Sequence, residues 1–276
     1  MSSPPQFTHP PPPTTSTLLT FPHPSILLLT INRPQSLNCL DGPTHQELDS
    51  LFRWYDAEPT LLCAVLTGAG RAFCAGADLK EWDARNQTGK SKDWMPTAGF
   101  GGLSRREGKK PVVCAVNGIC FGGGCEMVVN ADLVVAEEGA GFALPEVKIG
   151  VVAVAGALTR LVRTVGRQRA MEMALTGRRV DAHEAEKWGL VNKVVPKGKA
   201  VEAALELAEM IVANSPDSVI VSRKGVNLGW DGVGAEEGTR ILEEGLYARM
   251  DAGENMKEGV RSFVEKRKPR WVGSKL

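Results

Sequence analysis

Two glutamates twenty positions apart, Glu126 and Glu146, are the residues of this chain best placed to move protons. Glu126 follows three consecutive glycines, Gly122, Gly123 and Gly124, and Glu146 closes the same stretch, residues 111–146 (PVVCAVNGICFGGGCEMVVNADLVVAEEGAGFALPE). Without Cβ atoms, backbone at the glycines can take positive φ and another group can come close to it. The first N–H groups of a helix that starts there have no partner inside the helix and suit negative charge. Glu126, a turn into that helix, would stand beside such a site, and Glu146 would reach it if the fold joins the two loops. Carboxylates next to a backbone anion hole suit proton transfer coupled to a developing oxyanion. The same residues also admit a structural reading, in which the glycines only let a helix pack on a strand and both glutamates are solvated.

The elements that must position them are set by apolar patterning. Val112–Val116 reads as a buried strand bounded by Asn117 and Gly118, residues 125–129 as a helix and 133–136 as a second strand. Upstream, residues 25–31 read as a strand closed by Asn32-Arg33-Pro34. Residues 44–55 carry Leu48, Leu51, Phe52 and Trp54 at helical spacing with Thr44 as cap. A strand at 61–67 ends in a second glycine-rich loop, residues 68–78, that opens a helix at Leu79. The alternation predicts an α/β fold built from crossover units. Residues 86–104 are long and polar for a connector and are expected to be a substrate-contacting lid or an unstructured insertion. Helices are expected at 167–175, 182–188 (capped by Asp181), 199–213, 217–226, 234–250 and 255–266, with 191–195 the one strand among them. Three regions result: a disordered Pro/Ser/Thr-rich lead-in over 1–16, a catalytic core over 17–198 and a helical region over 199–276.

Composition excludes several classes. A formal net charge of +1 offers no global field for nucleic acid or an acidic membrane surface. The least polar window, 112–136, is interrupted by Asn117, Glu126, Asn130 and Asp132, so no membrane span is expected, and no signal peptide is recognisable. The six cysteines contain no C-x-x-C pair and read as reduced core residues of an intracellular protein. Four scattered histidines leave little for a metal site or a histidine-based triad. Gly68-Ala69-Gly70 lacks the third glycine of a dinucleotide fingerprint, and no G-x-S-x-G elbow is present. The run Arg105, Arg106, Lys109, Lys110 is expected to be surface charge.

Residues 68–81 (GAGRAFCAGADLKE), 116–126 (VNGICFGGGCE), Pro145-Glu146 and 171–177 (MEMALTG) resemble, in order and spacing, the crotonase or enoyl-CoA hydratase/isomerase superfamily. Asn32-Arg33-Pro34 with Asn38 and the ending 263–268 (FVEKRK) do so too, and the resemblance spans about 23 to 270. It implies a spiral of ββα units with a C-terminal helical trimerisation region, a homotrimer or homohexamer, and acyl-CoA thioester substrates with no separate cofactor. By the same resemblance the backbone N–H groups of Ala77 and Gly123 polarise the thioester carbonyl. Glu126 and Glu146 then hold one water for addition across C2 and C3 of a trans-2-enoyl-CoA, as in fatty-acid β-oxidation. Lys80, Phe263 and Lys266 contact the CoA nucleotide, the latter two from a neighbouring subunit. A Δ3,Δ2-enoyl-CoA isomerase or a specialised lyase is the alternative within the superfamily. A catalytically idle binding or RNA-associated protein is the alternative outside it, opposed by the glutamate pair and the near-neutral charge.

One departure stands out: residues 150–157 (GVVAVAGA) lack a proline and two glycines of the hydratase pattern and are expected to narrow the pocket floor near Glu146. The final residues, Ser274-Lys275-Leu276, read as a peroxisomal address, with an import receptor as partner.

Overall fold

The computed structural model describes residues 7–88 and 95–276. Its core is a six-stranded sheet in the order β1 (Thr17–His23), β2 (Ile26–Ile31), β3 (Cys63–Gly68), β5 (Val112–Val116), β7 (Leu133–Glu137) and β10 (Lys193–Val195). All its neighbours are parallel except β1 on β2. A second sheet orders β4 (Ala72–Cys74), β6 (Ile119–Phe121), β8 (Gly141–Ala143) and β9 (Val180–Asp181), with the first three parallel. β3, β5 and β7 are Val/Ala/Leu/Cys runs buried along almost their whole length, as expected of parallel strands covered on both faces.

The expected ββα spiral is present. Three successive turns each lay one strand in the large sheet and the next in the small one before a helix. β3 and β4 lead to α2 (Leu79–Thr88), β5 and β6 to α3 (Gly123–Val129), and β7 and β8, through the turn Pro145–Ile149, to α4 (Ala157–Val165). α1 (Gly42–Ala57) buries Leu48, Leu51, Phe52 and Tyr55 and starts ahead of the expected helix. Its cap is Asp41, whose carboxylate accepts from the Thr44 amide at 2.9 Å, not Thr44 itself.

Three expectations are corrected. Residues 7–16 of the lead-in are docked: the Phe7 ring fills the space beside Phe21 and Trp54, with centroids at 4.8 and 5.2 Å, Trp54 Nε1 donates to the His9 carbonyl, and the Glu47 carboxylate accepts from the Thr15 and Ser16 amides. Residues 1–6 lie outside the described residues. Arg106 and Lys110 are buried beneath α1, where Arg106 pairs with Asp56 at 2.6 Å and Lys110 Nζ donates to the Tyr55 carbonyl; burial lowers the lysine's pKa to about 8. Their long apolar stems and the Tyr55 ring make that burial tolerable. Third, α7 (Ala200–Val212) packs against β3 and β5 through Ala200, Ala203, Ala204 and Ala208, so it belongs to the core and not to a separate helical region; small residues at helical spacing let it lie close to the sheet.

α5 (Arg167–Thr176) and α6 (Ala182–Lys187), the latter capped by Asp181 as expected, precede β10. After α7 come α8 (Pro216–Trp230), α9 (Ala235–Leu242), a π turn (Glu243–Tyr247), α10 (Ala248–Met250) and α11 (Glu254–Val264). Of the expected lid over 86–104, residues 89–94 lie outside the described residues. Residues 99–104 are buried, with a short 3-10 turn at Phe100–Gly102 packed on α1 and α3.

Candidate active site

β4, β6 and β8 are short parallel neighbours, with Ala72 opposite Ile119 and Ile119 opposite Gly141, so the chain leaves all three at the same end. From β4 it enters the turn carrying Ala77, from β6 the turn of Gly122 and Gly123, and from β8 the turn that bears Glu146. Three segments distant in sequence are thereby delivered side by side at the carboxyl ends of the strands. A Cβ built on Gly76 would lie 3.5 Å from the Gly123 nitrogen, and one on Gly122 would lie 3.1 Å from Glu146 Oε1.

The first turn is held by residues 37–40. Ala75 N–H donates to the Leu37 carbonyl, Leu40 N–H to Gly76 and Asp78 N–H to Leu40, at 2.9–3.0 Å, and Gly76 N–H meets Cys74 Sγ. That leaves the Ala77 amide, which has no acceptor among the described residues. Asn38, fully buried at φ 58°, ties the loop down. Its Nδ2 donates to the Ala69 and Ala72 carbonyls at 2.9 and 2.7 Å, and its Oδ1 accepts from Arg33 N–H. Arg33 in turn pairs with Asp41 and Asp78, and Asp78 Oδ1 accepts from the Lys80 and Glu81 amides, the brace and cap role expected of it.

The second turn needs glycine at 122, where φ 53° and ψ −127° are inaccessible to ordinary side chains. Gly122 N–H donates to the Ala143 carbonyl and Glu126 N–H to Gly122, while the Gly123 amide, like that of Ala77, meets no acceptor among the described residues. A Cβ on Gly123 would strike the Phe100 ring at 2.3 Å.

Both turns, both glutamates and Lys80 line one cavity of about 480 Å³, walled by apolar side chains that include Trp82, Met95, Phe100 and Val151. Glu126 is 4% exposed, and its Oε2 accepts from the Ala157 amide at 3.0 Å. Burial raises its pKa to about 7 and the neighbouring Glu146 adds to the rise, against the stabilising amide. Burial also raises Glu146, whose Oε2 is enclosed and meets no protein donor among the described residues. Two carboxyls of raised pKa face one space, the arrangement that a site exchanging protons with a substrate requires.

The remaining expected residues fall in two places. Lys80 is exposed at the cavity mouth. Phe263 and Lys266 sit at the end of α11, exposed, and this chain does not bring them to its own cavity. The six cysteines are all unpaired; Cys39 is half-buried and borders the cavity, the others are buried. Within residues 150–157, Val151, Val152, Val154 and Ala155 line the same cavity as Glu146, and the Val151 amide donates to the Glu146 carbonyl at 3.1 Å. The same segment also holds Glu126, through the Ala157 amide, and Ala155 gives its carbonyl to Ser104 Oγ at 2.6 Å. Phe100 and Ser104 do not stand out in the sequence; the glycine density of 98–104 (AGFGGLS) is the signal that could have found them.

At the last residues, Lys275 pairs with Glu254 at 2.7 Å, the Leu276 amide donates to Ser274 Oγ, and Lys109 Nζ donates to the Leu276 carbonyl. Among the described residues no helix is long and apolar enough to cross a membrane, and no group of three His, Cys, Asp or Glu could hold a metal ion.

The family model described as enoyl-CoA hydratase/isomerase matches residues 23–274. A mevalonyl-coenzyme A hydratase of Beauveria bassiana is 56% identical over 98% of this chain and 99% of its own. A mitochondrial enoyl-CoA hydratase of Pongo abelii is 39% identical over 87% of this chain and 81% of its own. The crystal structure of an enoyl-CoA hydratase from Mycobacterium tuberculosis superposes with a TM-score of 0.86 at 34% identity, covering 94% of this chain and 99% of that one.

Proposed function

The chain belongs to the enoyl-CoA hydratase/isomerase family and is a hydratase, and we propose that its substrate is mevalonyl-CoA. The observation that carries the substrate is the 56% identity, along nearly the whole of both chains, to a protein named for that reaction. Mevalonyl-CoA is a 3-hydroxy thioester with a methyl branch at C3 and a hydroxyl at C5, so its reaction is loss of water across C2–C3 and the reverse. In this reading the amides of Ala77 and Gly123 donate to the thioester oxygen and hold the enolate formed when one carboxylate takes the C2 proton. The other, protonated, delivers its proton to the C3 hydroxyl, which leaves as water. The charge on Glu146 raises Glu126, so the two titrations are linked. The apolar wall of the cavity suits the methyl branch.

The test is incubation with mevalonyl-CoA, following the conjugated thioester's ultraviolet absorbance and a product lighter by one water, with Glu126→Gln and Glu146→Gln as controls. Turnover of crotonyl-CoA but not mevalonyl-CoA would replace this substrate with the straight-chain one of β-oxidation. The proposal extends to three further features: a homotrimer or homohexamer in which Phe263 and Lys266 serve a neighbour's CoA, contact of Lys80 with the CoA phosphates, and peroxisomal address through Ser274, Lys275 and Leu276. A fluorescent tag that leaves Leu276 free should appear in punctate organelles, and an even cytosolic signal would remove the last of these.

A further inference from the structure

One wall of the cavity is a phenylalanine that sits against one of the two open amides. Phe100 is 3% exposed, and its ring is packed on the Gly123 Cα so closely that even a methyl group there would collide. Leu79, Lys80, Ile149 and Val152 also line the cavity and are exposed, marking its open side. A thioester with its carbonyl on the Ala77 and Gly123 amides must leave its large polar CoA portion at the exposed end, so the acyl group points to Phe100.

The ring cannot move aside easily. Its residue lies in a turn whose Gly99, Gly101 and Gly102 all have positive φ. Phe100 N–H donates to Ser104 Oγ at 2.7 Å, and Gly101 N–H donates to His45 Nδ1 at 2.9 Å. The His45 ring meets the Phe100 ring edge-on at 4.4 Å. Ser104 Oγ also donates to the Ala155 carbonyl, which fixes the turn to the wall that carries Glu126.

We propose that Phe100 is a specificity-determining residue that ends the acyl pocket a few carbons beyond C3, admitting short, branched acyl groups and stopping long straight ones. This role rests on the hydratase reading and refines that of a short 3-methyl substrate, but its test is independent of mevalonyl-CoA. Hydration of crotonyl-CoA and of trans-2-decenoyl-CoA is measured for wild type, Phe100→Leu and Phe100→Ala. The ratio of kcat/KM for decenoyl-CoA to that for crotonyl-CoA is expected to be low in wild type and to rise about tenfold or more when the ring is removed, the scale of discrimination an apolar pocket wall gives. The gain should come mainly from KM for the longer substrate. A wild-type ratio already near one, or a ratio unchanged in the variants, would overturn the proposal. If Phe100→Ala fails to fold, Phe100→Leu is read in the same way. Should mevalonyl-CoA prove not to be a substrate while this ratio still shifts, the failure lies with the named substrate and not with Phe100.

Discussion

The backbone amide of Ala157 donates to the carboxylate of Glu126 across 3.0 Å, joining the first residue of α4 to the first turn of α3. This contact stabilises the ionised form of a carboxyl whose charge burial disfavours. Replacing either glutamate by glutamine retains the shape and removes the titratable proton. Glu126→Gln and Glu146→Gln should each lower kcat by about 10²–10⁴-fold. The double variant should be much less than multiplicatively worse, because the pair acts on one water. Steady-state hydration kinetics check this; a single variant that keeps a tenth of wild-type kcat would exclude its residue from proton transfer.

The same burial makes stability depend on pH in a definite direction. The folded protein holds a proton on Glu126 up to about pH 7, whereas an ordinary glutamate releases it near 4.5. The stability this proton represents is fully present below the unfolded value and is lost as pH rises through the folded one. Glu126→Gln should therefore be more stable than wild type above neutrality, by at most about 3 kcal/mol, with the gap closing toward acid pH. Urea unfolding at several pH values measures it, and a gap that widens on acidification would contradict the assignment.

Ser104 ties the Phe100 turn to the Glu126 wall with one accepted and one donated hydrogen bond. Ser104→Ala leaves a buried amide and a buried carbonyl unpaired, a loss of roughly 1–3 kcal/mol in stability. As a positioning residue it should lower kcat while leaving KM nearly unchanged. A rise in KM with kcat intact would point to substrate binding instead.

Asn38 is the buried brace of the Ala77 turn. Asn38→Ala strands the Ala69 carbonyl and the Arg33 amide and leaves the Ala72 carbonyl with only the longer bond from Asn117, with an expected loss of roughly 2 kcal/mol or more. Because the displaced amide is an expected oxyanion donor, kcat/KM should fall about tenfold or more beyond what unfolding explains. Denaturant midpoints and kinetics on the folded fraction separate the two effects.

The apolar strands of the large sheet and the glutamate pair were legible because each leaves a pattern: an unbroken hydrophobic run, or a carboxylate at a fixed distance from glycines. β4, β6 and β8 were not. At three residues each they are too short to show a period, yet their parallel pairing is what brings Ala77, Gly123 and Glu146 together. β1 escaped because Pro22 and flanking polar residues disguise an edge strand. Phe100 looked like one apolar residue in a polar connector; its importance comes from the backbone around it and from Gly123, which the spiral folds back onto its ring. Burial of Arg106 and Lys110 likewise depends on partners in α1 that a local charge count does not see.

The turns that leave the amides of Ala77 and Gly123 open are main chain, whereas the groups that handle protons are two side chains. A single codon change can exchange an acid for an amide or an alkyl group, but it cannot delete a peptide N–H short of introducing proline. On the proposed reading, the two donors themselves are indifferent to side-chain identity and depend only on the shape of their turns, whereas the reaction performed on a gripped thioester is open to revision at positions 126 and 146.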